Sequence, residues 1–254
     1  MAITIKSERE IELMAEAGKI LERVHNELEK ALRPGMSTKD IDTLVEEIIR
    51  SYGCIPSFLN YNGYPASICV SVNQEVVHGI PDKHRIIQEG DIVSLDAGVI
   101  YKGYHSDAAR THAVGEVSEE AKKLIQVTKE SFFEGIKFAK AGNHLFDISG
   151  AIGRYAEERG YGVVRDLCGH GIGTALHEAP EIPNYEVGRK GVRLRPGMTL
   201  AIEPMINIGT HEVDWLDDDW TVVTRDGSLS AHYENTILIT EGEPRILSLT
   251  CENE

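Results

Sequence analysis

No stretch of this chain approaches the ~20 consecutive apolar residues that a membrane-crossing helix requires, which excludes a helical membrane protein. Its opening residues, MAITIKSEREIELM, carry charges every few positions and lack the apolar centre of a secretory signal. The cysteines Cys54, Cys69, Cys168 and Cys251 form no Cys-x-x-Cys pair, and so few in 254 residues point to reduced thiols in a cytoplasmic setting. Basic residues are in short supply. Against 41 Asp and Glu stand 26 Lys and Arg, and the net charge of -15 disfavours nonspecific or tight nucleic-acid binding. Low-complexity tracts and Pro/Gly/Ser linkers are also missing, so residues 1–254 read as one domain.

What is present alternates helices with strands. Ser7 and Glu10 form a capping box for a helix whose stripe is Ile11, Met14, Ile20, Leu21, Val24 and Leu28, ended by Pro34-Gly35. A second helix starts near Ser37 or Thr38 and stops at Gly53. Strand-like SICVSVN (67–73) follows, then a hairpin, SLDAGVIYKGYHSD (94–107). Two more helices are predicted over about 118–141 and 145–159, and strands and loops from Val163 onward. Asp226-Gly227 reads as a hairpin turn between TVVT and LSAHY.

The chain repeats itself. RPGMSTKDIDTLVEEIIRSYG (33–53) aligns with KAGNHLFDISGAIGRYAEERG (140–160) at an offset of 107, pairing Gly35 with Gly142 and Asp40 with Asp147. The same offset lays EGDIVSLD (89–96) on PGMTLAIE (196–203), so Asp96 falls on Glu203. HGIP (78–81) resembles HEAP (177–180) at an offset of 99. An α+β fold of two pseudo-two-fold halves, roughly 7–115 and 116–245, is expected, each offering acidic strands to a shared centre.

The hairpin defines that centre. With Lys102-Gly103 as a two-residue turn, Asp107 opposes Gly98 and Asp96 opposes Ala109, which puts both carboxylates on one sheet face as diagonal neighbours. They could be residues of a solvated face. Glu203 in TLAIEPM and Glu234 in HYENTILIT, however, are further acids inside apolar strands that contain no Lys or Arg. Four unpaired carboxylates converging in a protein interior would cost several kcal/mol each. Two divalent cations would balance them. His170, in the glycine-rich CGHGIG, is either a loop residue or a nitrogen ligand, and a set of O donors plus imidazole suits Mn, Fe, Co or Zn.

Asp96, Asp107, His170, Glu203 and Glu234, with VVHGIPD, CGHGIG, LHEAPEIP, PGMTLAIEPM and WTVVTRDGSLSAHYE, resemble the methionine aminopeptidases over nearly the whole chain. The short N-terminal region is similar to the bacterial type I enzymes of that family, and Asn235 departs from it where relatives carry His. The resemblance implies the pita-bread fold and two divalent metal ions. Asp96, Asp107 and Glu234 would hold one and His170 with Glu203 the other, Asp107 and Glu234 bridging. Glu203 would also act as general base and then acid. His177 would bind the carbonyl oxygen as it gains charge, and His78 the substrate amide. Tyr61, Tyr64, Cys69, Leu176 and Trp220, with Phe58, Met205 and His232 nearby, would line a methionine pocket. The implied substrates are N-termini of nascent polypeptides with a small second residue, met by a cytoplasmic monomer with transient ribosome contact at most.

Two rivals share the fold. An Xaa-Pro aminopeptidase or prolidase has the same ligands but an additional N-terminal domain, and only 95 residues precede Asp96 here. A non-catalytic pita-bread binding protein lacks the ligands that this chain retains.

Overall fold

The computed structural model describes residues 2–249; Cys251 lies outside the described residues. Helices α1 (Glu8–Ala31) and α2 (Thr38–Ser51) begin at the capping boxes Ser7/Glu10 and Ser37/Asp40. The apolar stripe of α1 (Leu21, Val24, Leu28) and that of α2 (Ile41, Val45, Ile49) bury against Val70, Leu95, Ala97 and Ala108 of an antiparallel sheet. In that sheet the Ile92–Tyr101 strand pairs with both Ile68–Val72 and Tyr104–Ala113.

Helices α3 (Glu119–Ile136) and α4 (Leu145–Glu157) cover a second, five-stranded antiparallel sheet with Phe132, Ile148 and Ile152 against Leu200, Ile202 and Ile237. Its strand order is Arg245–Ile246, Asn235–Leu238, Thr199–Ile202, Gly169–Gly171 and Glu178–Ile182. α3 stops short of the predicted 141. Its end tightens into three-residue turns (Phe138 N to Gly135 O, Ala139 N to Ile136 O), and the Asn143 amide donates to Phe138 O. α4 likewise closes two residues early, with Arg159 N bonding Ala156 O.

The sequence repeat has a counterpart in hydrogen bonds. Gly35 N donates to Ile87 O and Gly142 N to Leu194 O; Ile87 N donates to Met36 O and Leu194 N to Asn143 O; Thr38 N donates to Arg85 O and Leu145 N to Val192 O. Each member lies 107 positions from its mate, as Gly35 does from Gly142. The loop entering each helix pair is thus tied to its sheet in the same way.

The predicted hairpin at Asp226-Gly227 does not form. Val222–Thr224 pairs with Val213–Trp215 and Glu75–Val77, whereas Ser230–His232 pairs with Met205–Asn207. The Asp226 carboxylate accepts from Ser228 N and Thr210 N, so the turn is held from the side and hands the chain to another sheet.

The two sheets meet where the Tyr104–Ala113 strand runs past the start of Asn235–Leu238. Ala109 N donates to Glu234 O and Glu234 N to Ala109 O, while Thr236 Oγ1 accepts from Asp107 N and donates to Asp107 O. Around His170 the neighbouring strands come still closer. A Cβ on Gly169 would stand 2.4 Å from Ala201 O, and one on Gly171 2.2 Å from Ala179 O. Gly171→Ala is expected to lower the unfolding free energy by about 1–3 kcal/mol, the scale of overpacking a tight site. Urea unfolding of the metal-loaded protein checks it; an unchanged midpoint would mean that the Glu178–Ile182 strand can give way.

Candidate metal and active site

The hairpin has the register that its sequence implies. Lys102 and Gly103 both take positive φ (48° and 86°), as a two-residue turn between twisted strands needs, and Asp96 opposes Ala109 while Gly98 opposes Asp107. Glu203 follows the Thr199–Ile202 strand and Glu234 precedes Asn235–Leu238, where Asn235 opposes Ile202. His170 opposes Ala201 on the far side of the same strand. Pairing alone therefore brings both acids of the second half and the imidazole to the seam where Asp107 sits.

All the predicted residues but His232 line one cavity of about 240 Å³. Asp96, Asp107, His170, Glu203 and Glu234 share it with His78, His177, Phe58, Tyr61, Tyr64, Cys69, Leu176, Met205 and Trp220. Val77, Leu167 and Cys168 also contribute, unnoticed in the sequence because short apolar text carries no directional signal. His232, expected near the methionine pocket, does not line this cavity and instead stands against Glu203 and Glu234. Asn235 faces away from the centre: its carboxamide oxygen accepts from Arg110 Nη2 (2.6 Å) and Ser248 Oγ (3.0 Å).

Electrostatically the centre is out of balance. Burial pushes the Asp96 carboxyl up to about 7. Burial, then the neighbouring acids, raises Asp107 and Glu234 well above the ordinary carboxylate range; burial and Asp96 do the same to Glu203. Among the described residues no Lys or Arg ion-pairs with any of the four carboxylates. Arg110 is close, but it spends its hydrogen bonds on the backbone oxygens of Ala109 and Glu234 and on Asn235. Asp96 Oδ1, Asp107 Oδ1 and Glu234 Oε1 are buried without a hydrogen-bond partner among the described residues.

The donors fit a cation. Atoms of Asp107, His170 and Glu234 lie within 4.8 Å of one another, as do those of Glu203, His232 and Glu234. His170 Nε2 stands 3.9 Å from Asp107 Oδ2 and 3.7 Å from Glu203 Oε1. Its Nδ1 is 2.9 Å from Gly171 O, which can only accept, so the ring proton is on Nδ1 and the Nε2 lone pair faces the acids. Burial lowers the His170 pKa to about 3, which keeps the ring neutral.

Above the acids, His177 Nδ1 is 2.7 Å from the Tyr61 hydroxyl and its ring packs on His170 at 4.1 Å. His78 holds φ at 60°, a strained value for a side chain with a Cβ, and faces Trp220 edge-on. Burial, then His177, lowers its pKa to about 4, and burial also lowers that of His177. Two neutral imidazoles thus flank the acids. On the apolar side Tyr64 donates to Ile68 O or Gly79 O and meets Trp220 edge-on at 5.0 Å.

Comparison with known proteins agrees with this geometry. The model of metallopeptidase family M24 matches residues 12–241. A methionine aminopeptidase of Clostridium acetobutylicum is 58% identical over 98% of this chain and 100% of its own length. The crystal structure of the methionine aminopeptidase from Thermotoga maritima superposes with a TM-score of 0.96 at 48% identity, covering 98% of this chain and 100% of that one. An Xaa-Pro dipeptidase from Bacillus anthracis is more distant, with a TM-score of 0.78 at 27% identity, and this chain spans only 63% of it. The fold is the pita-bread fold, and the chain, a metal-dependent hydrolase, belongs to metallopeptidase family M24 and within it to the methionine aminopeptidases.

Proposed function

We propose that this protein, one catalytic domain over 1–254, removes the N-terminal methionine of peptides and nascent chains whose second residue is small. The observation that carries the reading is the convergence of the buried Asp96, Asp107 and Glu234, the half-buried Glu203 and His170 in one cavity that apolar side chains also line. Asp96, Asp107 and Glu234 would hold one divalent ion and His170 with Glu203 a second, Asp107 and Glu234 being shared. When bound, such ions polarise a carbonyl and lower the pKa of water toward neutrality. The O and N donors suit Co, Mn, Fe or Zn without choosing among them.

The chain's own groups supply the rest. Glu203 takes a proton from the attacking water as its oxygen bonds the scissile carbonyl carbon. It passes that proton to the amide nitrogen as the C–N bond breaks, freeing methionine and the shortened peptide. His177 donates from Nε2 to the carbonyl oxygen while that oxygen is negative. This requires Nδ1 to accept, so the Tyr61 hydroxyl, 2.7 Å away, is the donor in that pair. His78 contacts the scissile amide. Phe58, Tyr64, Cys69, Leu176 and Trp220 take the methionine side chain, whose flexible thioether suits an irregular apolar wall. A cytoplasmic site of action, on chains leaving the ribosome, is in keeping with the free thiols of Cys54, Cys69 and Cys168. The net charge of -15 limits any rRNA contact to a transient one.

The test is a metal-replete assay with Met-Ala-Ser, Lys-Ala-Ser and Ala-Pro substrates, before and after chelation. Met-Ala-Ser alone should be cleaved well, and chelator should stop it. Glu203→Gln should lower kcat by at least ~10²-fold, because Gln cannot take the water's proton. Turnover of Lys-Ala-Ser equal to that of Met-Ala-Ser, or an unimpaired Gln variant, would overturn the assignment.

Stability should depend on pH in a definite direction. Acids whose folded pKa is raised are stabilised by protonation at low pH, and that contribution is lost as pH climbs from the unfolded value near 4 through about 7, the value at Asp96. Metal affinity rises over the same range as the ligands lose protons. The gap in Tm between metal-loaded and chelator-treated protein is therefore expected to widen from pH 5 to pH 8 in thermal melts. A constant gap would contradict the shared-centre picture.

A further inference from the structure

His232 was not needed to assemble the centre above, yet its position repeats that of His170. Its Nε2 lies 3.7 Å from Glu203 Oε2 and 3.9 Å from Glu234 Oε2, against 3.7 Å and 3.9 Å for His170 Nε2 to Glu203 Oε1 and Asp107 Oδ2. The Glu203 carboxylate thus offers one oxygen to each imidazole. Two donors bound at about 2.0–2.2 Å to one ion can stand at most ~4.4 Å apart, and both sets satisfy that bound. The 3.7 and 3.9 Å spacings are too long for hydrogen bonds. Neither ring nitrogen of His232 has a partner among the described residues, and the residue is only 1% exposed.

His232 also lines a separate cavity of about 280 Å³, shared with His25, Arg110, Thr111 and Tyr233. That cavity carries polar groups among its apolar ones and is roomy enough to hold an acceptor for an Nδ1 proton. A proton on Nδ1 leaves the Nε2 lone pair on the side of Glu203 and Glu234, 3.7 and 3.9 Å away. We propose that His232 is a sixth protein donor to the centre, its Nε2 sharing a divalent cation with Glu203 Oε2 and Glu234 Oε2. This rests on reading the acidic cluster as a metal site. A neutral imidazole leaves the charge balance unchanged. It moves the donor set from oxygen toward nitrogen, which favours Fe, Co or Zn over Mg or Ca.

The rival role for His232 is hydrogen bonding to a carboxylate, and Gln can imitate that but cannot supply an imidazole nitrogen. The experiment loads the wild-type protein and His232→Gln with Co(II) and records hyperfine-shifted, exchangeable ring N–H signals by proton NMR, together with cobalt affinity by calorimetry. The expected result is two such signals in the wild type, from His170 and His232, and one in the variant, with at least one cobalt bound ~10-fold more weakly or worse. One signal in the wild type with unchanged affinity in His232→Gln would overturn the proposal while leaving the metal-site reading intact. A wild-type protein that takes up no cobalt would overturn both. The wild-type spectrum needs no variant to fold, so the outcome does not hinge on how the substitution is tolerated.

Discussion

Mutual repulsion among Asp96, Asp107, Glu203 and Glu234 is the constraint around which this molecule is organised. Each is a strand or strand-end residue with little solvent, and burial together with the neighbouring acids makes ionisation unfavourable for Asp107 and Glu234. A chain folding without compensation would gain nothing from such an arrangement, since isolated buried charges cost several kcal/mol. The arrangement persists because two sheets, each covered by its own helix pair, are joined where the Tyr104–Ala113 strand runs past the start of Asn235–Leu238, with their acidic positions facing. Backbone hydrogen bonds between Ala109 and Glu234, with the Thr236 hydroxyl bridging Asp107, hold that seam without using a carboxylate oxygen. The acids are left free for cations.

The rest of the site is arranged so that protein cations do not intrude. Arg110 lies behind Glu234, stacked on the Tyr233 ring at 4.5 Å, and its guanidinium is occupied by main-chain oxygens and by Asn235. It stiffens the seam without pairing with the centre. The histidines are kept neutral by burial, so that His170 offers a lone pair and His177 and His78 offer neutral N–H donors. In the proposed reaction the apolar residues of the same cavity, Phe58, Tyr64, Leu176 and Trp220 among them, would take the side chain that precedes the scissile bond.

Much of this was legible in the sequence, for physical reasons that differ by element. The hairpin register follows from a two-residue Lys102-Gly103 turn, because strand periodicity then fixes which residues share a face. The duplicated helix pairs show through the 107-residue offset because the same loop hydrogen bonds must be made twice. The glycines around His170 are required by backbone carbonyls only 2.2–2.4 Å from where a Cβ would stand. Other features depend on partners far away in the chain. The Asp226-Gly227 turn has local hairpin chemistry, yet its flanking strands find better partners in Glu75–Val77 and Met205–Asn207. Nor does local sequence reveal the strained φ of His78 or the way His232 faces Glu203. That second fact had one hint: His232 and Glu234 are two residues apart, the spacing of same-face neighbours in extended chain.

The central claim is that the four carboxylates repel one another until cations hold them together. The most direct measurement is the effect of Asp107→Asn on Tm at pH 8, made once with chelator and once with saturating Co(II) or Mn(II). Removing one charge from an uncompensated cluster should raise Tm in chelator, whereas removing a shared ligand should lower it with metal present. Opposite signs are the predicted result. The same sign under both conditions would contradict the account.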